Sequence, residues 1–91
     1  MRMKEPQHFT ADDLARDLHA FIRSTILAAD ADFSPDTPLE KVGIDSVSLL
    51  EILLYLERRF TIYIADENLT PENVASVRQL AATAYAAATA S

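Results

Sequence analysis

Gly43-Ile44-Asp45-Ser46-Val47-Ser48-Leu49-Leu50-Glu51-Ile52-Leu53-Leu54-Tyr55-Leu56-Glu57-Arg58-Arg59-Phe60 is the stretch around which the chain is organised. It opens on the only glycine in the sequence and passes from a loop-like segment into the longest apolar-periodic run. Asp45 is a good N-cap and Ser48 falls in the first turn, so a helix is expected from Ser46 to Phe60. At 100° per residue Leu49, Ile52, Leu53, Leu56 and Phe60 share one face, the pattern of a stripe that faces a core. Val47, Leu50 and Leu54 form a second apolar set on the side where Ser46 also falls, flanked by Glu51, Glu57 and Arg58. Two readings fit this second strip: a central helix buried on most sides, or an exposed docking strip beside the serine. Helical geometry leaves them level, and the position of Ser46 favours docking.

Upstream, Phe33 to Asp45 reads as a long ordered loop. Pro35 and Pro38 break helix, Asp36 and Thr37 suit turns, and Phe33, Leu39, Val42 and Ile44 are apolar enough to tuck against helices. Before it, Thr10 is a plausible N-cap with Asp12 and Asp13 in the first turn, and Leu14, Leu18, Phe21 and Ile22 share a face. These predict helix one from about Ala11 to about Ala28, after a flexible polar leader over 1–9. Downstream, Thr61-Ile62-Tyr63-Ile64-Ala65 alternates like a strand but has no second strand to pair with, so it is read as a loop that buries Ile62 or Ile64. Thr70-Pro71-Glu72-Asn73 signals a helix start, with Pro71 at the first helical position. Ser76 offers a new cap a few residues later, so this third helix should be very short. Val77, Leu80, Ala81, Ala84 and Ala88 share the face of a fourth helix, expected over about Ser76 to Ala87, with a frayed tail over 89–91.

The bulk composition narrows the class. Ninety-one residues make one small domain, here 10–88, and a hydrophobic content of 49% argues against disorder. One glycine and four prolines leave little turn chemistry for an all-β fold. The net charge of −6 argues against nucleic acid or an anionic membrane as partner and favours partners with basic patches. With no cysteine there is no disulfide framework, thiolate metal site or side-chain thiol. The amino-terminal residues lack an apolar signal core, and no apolar run reaches the roughly 18 residues of a membrane span. A freestanding, monomeric, cytoplasmic protein is the expectation.

Catalytic groups are hard to assemble. His8 and His19 have no serine or carboxylate partner implied by spacing, and both are expected at the surface. There is no Gly-x-Ser-x-Gly elbow, phosphate-cradling glycine loop or His-x-x-x-His pair. Asp12-Asp13 and Asp66-Glu67 are explained as helix-start or surface charges. Ser46 stands apart. The amino end of a helix carries unpaired N–H groups and a positive dipole, and so attracts a phosphate. Asp45 could hold a cation near the hydroxyl during a phosphoryl-type transfer. Read alone, the Gly-x-Asp-Ser motif is equally a capped helix start.

The run from Asp36 to Glu51, with Gly43-Ile44-Asp45-Ser46 inside it, resembles the acyl carrier protein family. Leu56-Glu57-Arg58-Arg59-Phe60 and Ile62-Tyr63-Ile64 resemble that family's helix-two end and next loop, and Thr70 to Val77 its short third helix and the start of its fourth. The resemblance covers about Leu14 to Ala86. It implies an all-α four-helix bundle with a short third helix. It implies a covalent 4′-phosphopantetheine arm on Ser46, installed from coenzyme A by a phosphopantetheinyl transferase that requires magnesium. It also implies a non-enzymatic role, in which the arm's thiol carries acyl or aminoacyl thioesters between a loading ligase or transferase and downstream biosynthetic enzymes. Carried over with it are Asp45 as a transferase contact and Val47, Leu50, Glu51, Leu54 and Glu57 as docking residues. The imported thiol fits a chain without cysteine.

Val47, Ser48, Arg58 and Arg59 depart from the pattern of many fatty-acid-synthesis carriers, which often have leucine at the first position and acids at the others. The Thr-Pro-Glu-Asn segment looks more like carriers of aminoacyl, peptidyl or specialised acyl pathways. Fatty-acid-like, polyketide and nonribosomal pathways all remain open at this point. The alternative is a small helical interaction domain that uses the Val47–Leu50–Leu54 strip without a prosthetic group.

Overall fold

The computed structural model describes residues 9–26 and 32–89. Among these residues the protein is all-helical, with α-helices α1 (Ala11–Phe21), α2 (Ser46–Phe60) and α3 (Val77–Thr89) and no strand. The leader over 1–8 and residues 90 and 91 of the expected tail lie outside the described residues.

Helix α1 begins with a reciprocal cap. The Asp13 N–H donates to Thr10 Oγ1 at 3.1 Å and the Thr10 N–H donates to Asp13 Oδ2 at 3.0 Å, which satisfies two donors that a helix start leaves open. Leu14, Leu18 and Ile22 are fully buried, as their shared face predicts. The α-helical bonding stops at Phe21, earlier than the expected Ala28, and the chain continues as a wider π turn over Ile22–Ile26. Ser24 and Thr25 lie within this turn. Hydroxyl side chains compete for backbone acceptors, and Ser24 Oγ donates to the Phe21 carbonyl at 3.4 Å. Residues 27 and 28 of the expected helix lie outside the described residues.

Helix α2 has the predicted bounds. Ile52 and Leu56 are fully buried, with Leu49, Leu53 and Phe60 packed partly against the same core. It ends at Thr61, which turns into the left-handed region (φ 57°, ψ 40°) and donates its N–H to the Glu57 carbonyl. Tyr55 ties α2 to α1: its ring stacks on Phe21 at 4.0 Å between centroids, and its hydroxyl donates to Asp17. Burial, then the Asp17 carboxylate, push the Tyr55 phenol above its ordinary pKa.

Helix α3 packs along α1 through Val77, Leu80, Ala81 and Ala84, all buried. Small alanine side chains let the two backbones approach closely. Ser76 caps the helix as expected, with Oγ accepting the Gln79 N–H at 3.2 Å. Thr89 Oγ1 donates to the Tyr85 carbonyl in a last turn that runs two residues past the predicted end. Phe9, placed by sequence in the leader, packs edge-on against Phe60 and Tyr85 at 5.3 and 6.3 Å.

The segment expected to form a short third helix is a hydrogen-bonded turn. The Val74 N–H reaches the Thr70 carbonyl at 3.1 Å and the Asn73 N–H reaches Thr70 Oγ1 at 3.1 Å. Pro71 contributes no N–H, and the Ser76 cap follows before a second turn can repay the cost of nucleation. Both Ile62 and Ile64 are buried in the preceding segment, which leaves Tyr63 outside.

Candidate functional site

Two segments carry the chain to the start of α2. Leu39–Val42 forms a 3₁₀ turn that ends at Gly43, whose φ of 88° lies in the left-handed region. A Cβ there would meet nothing within 4 Å, so glycine is needed for its backbone and not for room. The loop is clipped both to the turn before α3 and to the first turn of α3 itself. The Leu39 N–H donates to the Ala75 carbonyl at 2.8 Å and the Arg78 N–H to the Pro35 carbonyl at 2.9 Å. Arg78 also pairs with Asp36.

Asp45 is the N-cap of α2, with Oδ1 accepting the Ser48 N–H at 2.9 Å. That bond first, with further help from the Ser48 hydroxyl and nearby backbone N–H groups, holds the Asp45 carboxyl below its ordinary value. Ser46 follows it in the first turn and is exposed. Among the described residues its hydroxyl has no hydrogen-bond partner. An unengaged hydroxyl at the positive end of a 15-residue helix suits a phosphodiester: the oxygen is accessible and the dipole favours the charge.

Ser46 also forms part of the wall of a groove of about 490 Å³. Leu39, Ile44 and Leu49 line one side with it, and Pro71, Val74 and Ala75 line the other.

The second apolar strip of α2 lies on the surface: Val47 is 70% exposed, Leu50 57% and Leu54 41%. A helix buried on most sides would cover all three, so α2 is not such a helix. Glu51 and Glu57 are exposed beside them. Sequence reasoning passed over Tyr63, which is 70% exposed and lines a cleft of about 150 Å³ with Leu50, Leu54 and Glu57. The signal was available in the Ile62-Tyr63-Ile64 alternation, because burying both isoleucines turns the tyrosine outward. At the far end of α2, Arg58 and Arg59 line a separate groove with Phe21, Leu54 and Tyr55.

His19 is not the surface residue expected from sequence. It is half-buried, its Nε2 lies 2.5 Å from the Phe33 carbonyl, and its ring packs on Phe33 at 4.4 Å. It therefore anchors the loop to α1 and lies outside the Ser46 region. His8 falls outside the described residues. Among the described residues no cluster of His, Asp and Glu could hold a metal, and no helix is long and apolar enough to cross a membrane.

The family model described as "Phosphopantetheine attachment site" matches residues 16–84. Aminoacyl carrier protein 2 of Bradyrhizobium diazoefficiens is 29% identical over 75 residues, covering 80% of this chain and 84% of that protein. Two solved structures are similar. One is the Bradyrhizobium japonicum glycine:[carrier protein] ligase complexed with glycylated carrier protein (TM-score 0.63, 27% identity, covering 80% of this chain and 96% of the matched one). The other is the same ligase with its cognate carrier protein and an analogue of glycyl adenylate (TM-score 0.60, 28% identity, covering 77% and 88%). The match spans most of the chain and includes the loop, the start of α2 and the turn before α3, so the protein belongs to the acyl carrier protein family, non-enzymatic carriers with a covalent phosphopantetheine group.

Proposed function

We propose that Ser46 is the attachment residue and that the protein carries aminoacyl groups as thioesters on the arm. The observation that carries this reading is the Ser46 hydroxyl itself. It is exposed and unengaged at the amino end of α2, immediately after the N-cap Asp45. In the transfer, Ser46 Oγ forms a new bond to the phosphorus that bears pantetheine in coenzyme A. The bond from that phosphorus to the 3′,5′-adenosine diphosphate leaving group breaks, and the hydroxyl proton passes to solvent or a transferase base. Asp45, held ionised, is placed to contact the transferase and its magnesium.

The aminoacyl cargo is favoured over a fatty acyl one by two observations. The relatives named above are an aminoacyl carrier protein and chains from complexes of a glycine-activating ligase. Arg58 and Arg59 reverse the charge expected of a fatty-acid-synthesis carrier on α2. Val47, Leu50, Glu51, Leu54 and Glu57 form the surface on which the loading ligase docks. In this reading the Thr70–Ala75 turn fills the place of a short third helix in a four-helix carrier bundle.

The test is a loading assay. The protein is first converted to its arm-bearing form with coenzyme A, magnesium and a broad-specificity transferase. It is then incubated with ATP, the B. japonicum glycine:[carrier protein] ligase and a panel of small amino acids. A hydroxylamine-labile aminoacyl adduct is the expected result. Loading only by an acyl-transferring enzyme with a fatty acyl donor would sink the aminoacyl reading.

A further inference from the structure

We infer that Arg58 and the groove beside it form a second contact site, opposite in charge to the first, that receives an acidic, apolar segment of the loading ligase. The inference rests on the reading of Val47, Leu50 and Leu54 as the surface on which that ligase docks.

At 100° per residue Arg58 falls on the same side of α2 as Val47, Glu51 and Leu54, so it continues their strip. It stands seven positions beyond Glu51, about 10 Å along the helix axis. The strip therefore changes sign along its length, with the acid nearer Ser46 and the base at the far end. Nothing within the chain answers Arg58. The positions three and four away on α2 and just past it are Tyr55, Leu54, Thr61 and Ile62, so no carboxylate stands at helical pairing distance. Among the described residues its guanidinium has no ion pair and no hydrogen bond, whereas Arg16 and Arg78 each grip an aspartate. In a chain with 14 acidic residues, Arg58 is exposed and left open to a carboxylate from outside.

The groove beside it has a volume of about 650 Å³ and joins α2 to the π turn that follows α1. Its apolar lining includes Leu54 and the stacked rings of Phe21 and Tyr55, 4.0 Å apart between centroids. The Tyr55 hydroxyl donates to Asp17, which fixes the ring before any partner arrives. Along α2 the lining runs from Glu51 to Arg59 and stops short of Thr61. Aromatic and arginine side chains are the types that carry most binding energy at protein interfaces. Because Glu51 and Leu54 belong to both the strip and the groove, a body seated on the strip also covers the groove. The occupant is then a segment of the ligase with a large apolar side chain for the Phe21–Tyr55 stack and a carboxylate for Arg58. Opposite charges at the two ends also fix orientation: a carrier docked the other way round would meet like charges at both.

The test uses the arm-bearing full chain with ATP, the B. japonicum glycine:[carrier protein] ligase and the amino acid it loads best. Wild type, Arg58→Glu, Arg58→Lys and Thr25→Trp are compared over a range of carrier concentrations. Arg58 and Thr25 are both exposed, so thermal melts of all four should coincide. Arg58→Glu should raise the KM for the carrier about tenfold with kcat unchanged, and Arg58→Lys should keep most of the wild-type value. Thr25→Trp fills the groove without changing charge and should raise KM as well. Added sodium chloride should narrow the gap between wild type and Arg58→Glu. A KM unchanged in Arg58→Glu or in Thr25→Trp, a gap that salt does not alter, or a fall in kcat alone would overturn the inference. A wild type that is not loaded at all overturns the aminoacyl reading and this inference with it. A wild type that loads no better than its variants overturns this inference alone.

Discussion

Arg78 of α3 grips Asp36 of the loop that leads to Ser46, with Nε 2.6 Å from Oδ1 and a second guanidinium nitrogen 3.2 Å from Oδ2. This two-point contact spans 42 residues of sequence and ties the site's loop to the helix that packs on α1. The Arg78 hydrogen bond holds the Asp36 carboxyl below its ordinary value of 3.8. Asp13 is lowered by the Thr10 backbone and by Arg16, and Asp45 by the Ser48 backbone. All three folded-state values lie below the unfolded ones. Their contribution is therefore complete above the ordinary carboxylate range and is lost as pH falls below 3.8 through the folded values. Thermal melts should show a Tm that is flat above about pH 5 and falls on acidification. Asp36→Asn should lower the neutral plateau and shrink the acid loss. A Tm that rises below pH 3.8 would contradict this assignment.

Gly43→Ala should cost about 1–2 kcal/mol, because alanine must adopt a φ of 88°. No clash adds to this, since the space around the new Cβ is open. Urea titration should show a lower midpoint with an unchanged m-value. A neutral result would mean that the loop relaxes out of the left-handed turn.

Thr61 is the opposite case, a β-branched residue at a left-handed helix end. Thr61→Gly should raise stability by up to about 1 kcal/mol, read as a higher urea midpoint. Loading of the arm-bearing protein should not change, since Thr61 lies at the far end of α2 from Ser46.

The two apolar faces of α2 should separate cleanly. Leu56→Ala, at a fully buried position, should cost about 2–5 kcal/mol and bring this small domain close to unfolding. Leu50→Asp and Leu54→Asp, at exposed positions, should change stability by no more than about 0.5 kcal/mol. The same two variants should lower kcat/KM for ligase loading about tenfold or more, as expected for contacts at the centre of an interface. Tyr63→Ala should behave like them. Equal loading by all three variants would remove the docking surface from this face.

How much of this was legible in sequence differs from element to element. Helix α2 was readable to its ends, because Asp45 supplies a local cap and the apolar period continues to Phe60. The Ser76 cap and the α3 face were readable for the same reason. The end of α1 was not, because Leu14, Leu18, Phe21 and Ile22 keep their apolar period into the π turn, and that period does not register a change of backbone bonding. The Thr70–Ala75 segment carried good start signals, yet the four residues between Pro71 and Ser76 cannot sustain a helix. His19 was misplaced because its partner, the Phe33 carbonyl, is 14 residues away and meets it only in the folded chain. For the site, Ser46 and Asp45 could be singled out from local pattern and resemblance. The groove could not, because its second wall comes from Pro71, Val74 and Ala75, some 30 residues downstream.

The attachment of the arm to Ser46 is tested most directly by intact mass. Wild type and Ser46→Ala are incubated side by side with coenzyme A, magnesium and a broad-specificity phosphopantetheinyl transferase. Both should show the same helical circular dichroism, since Ser46 is exposed and takes no part in the core. Wild type should gain the mass of one phosphopantetheine and the variant none. A wild type that stays unmodified with several transferases, or a Ser46→Ala protein that still gains the arm, would contradict the account.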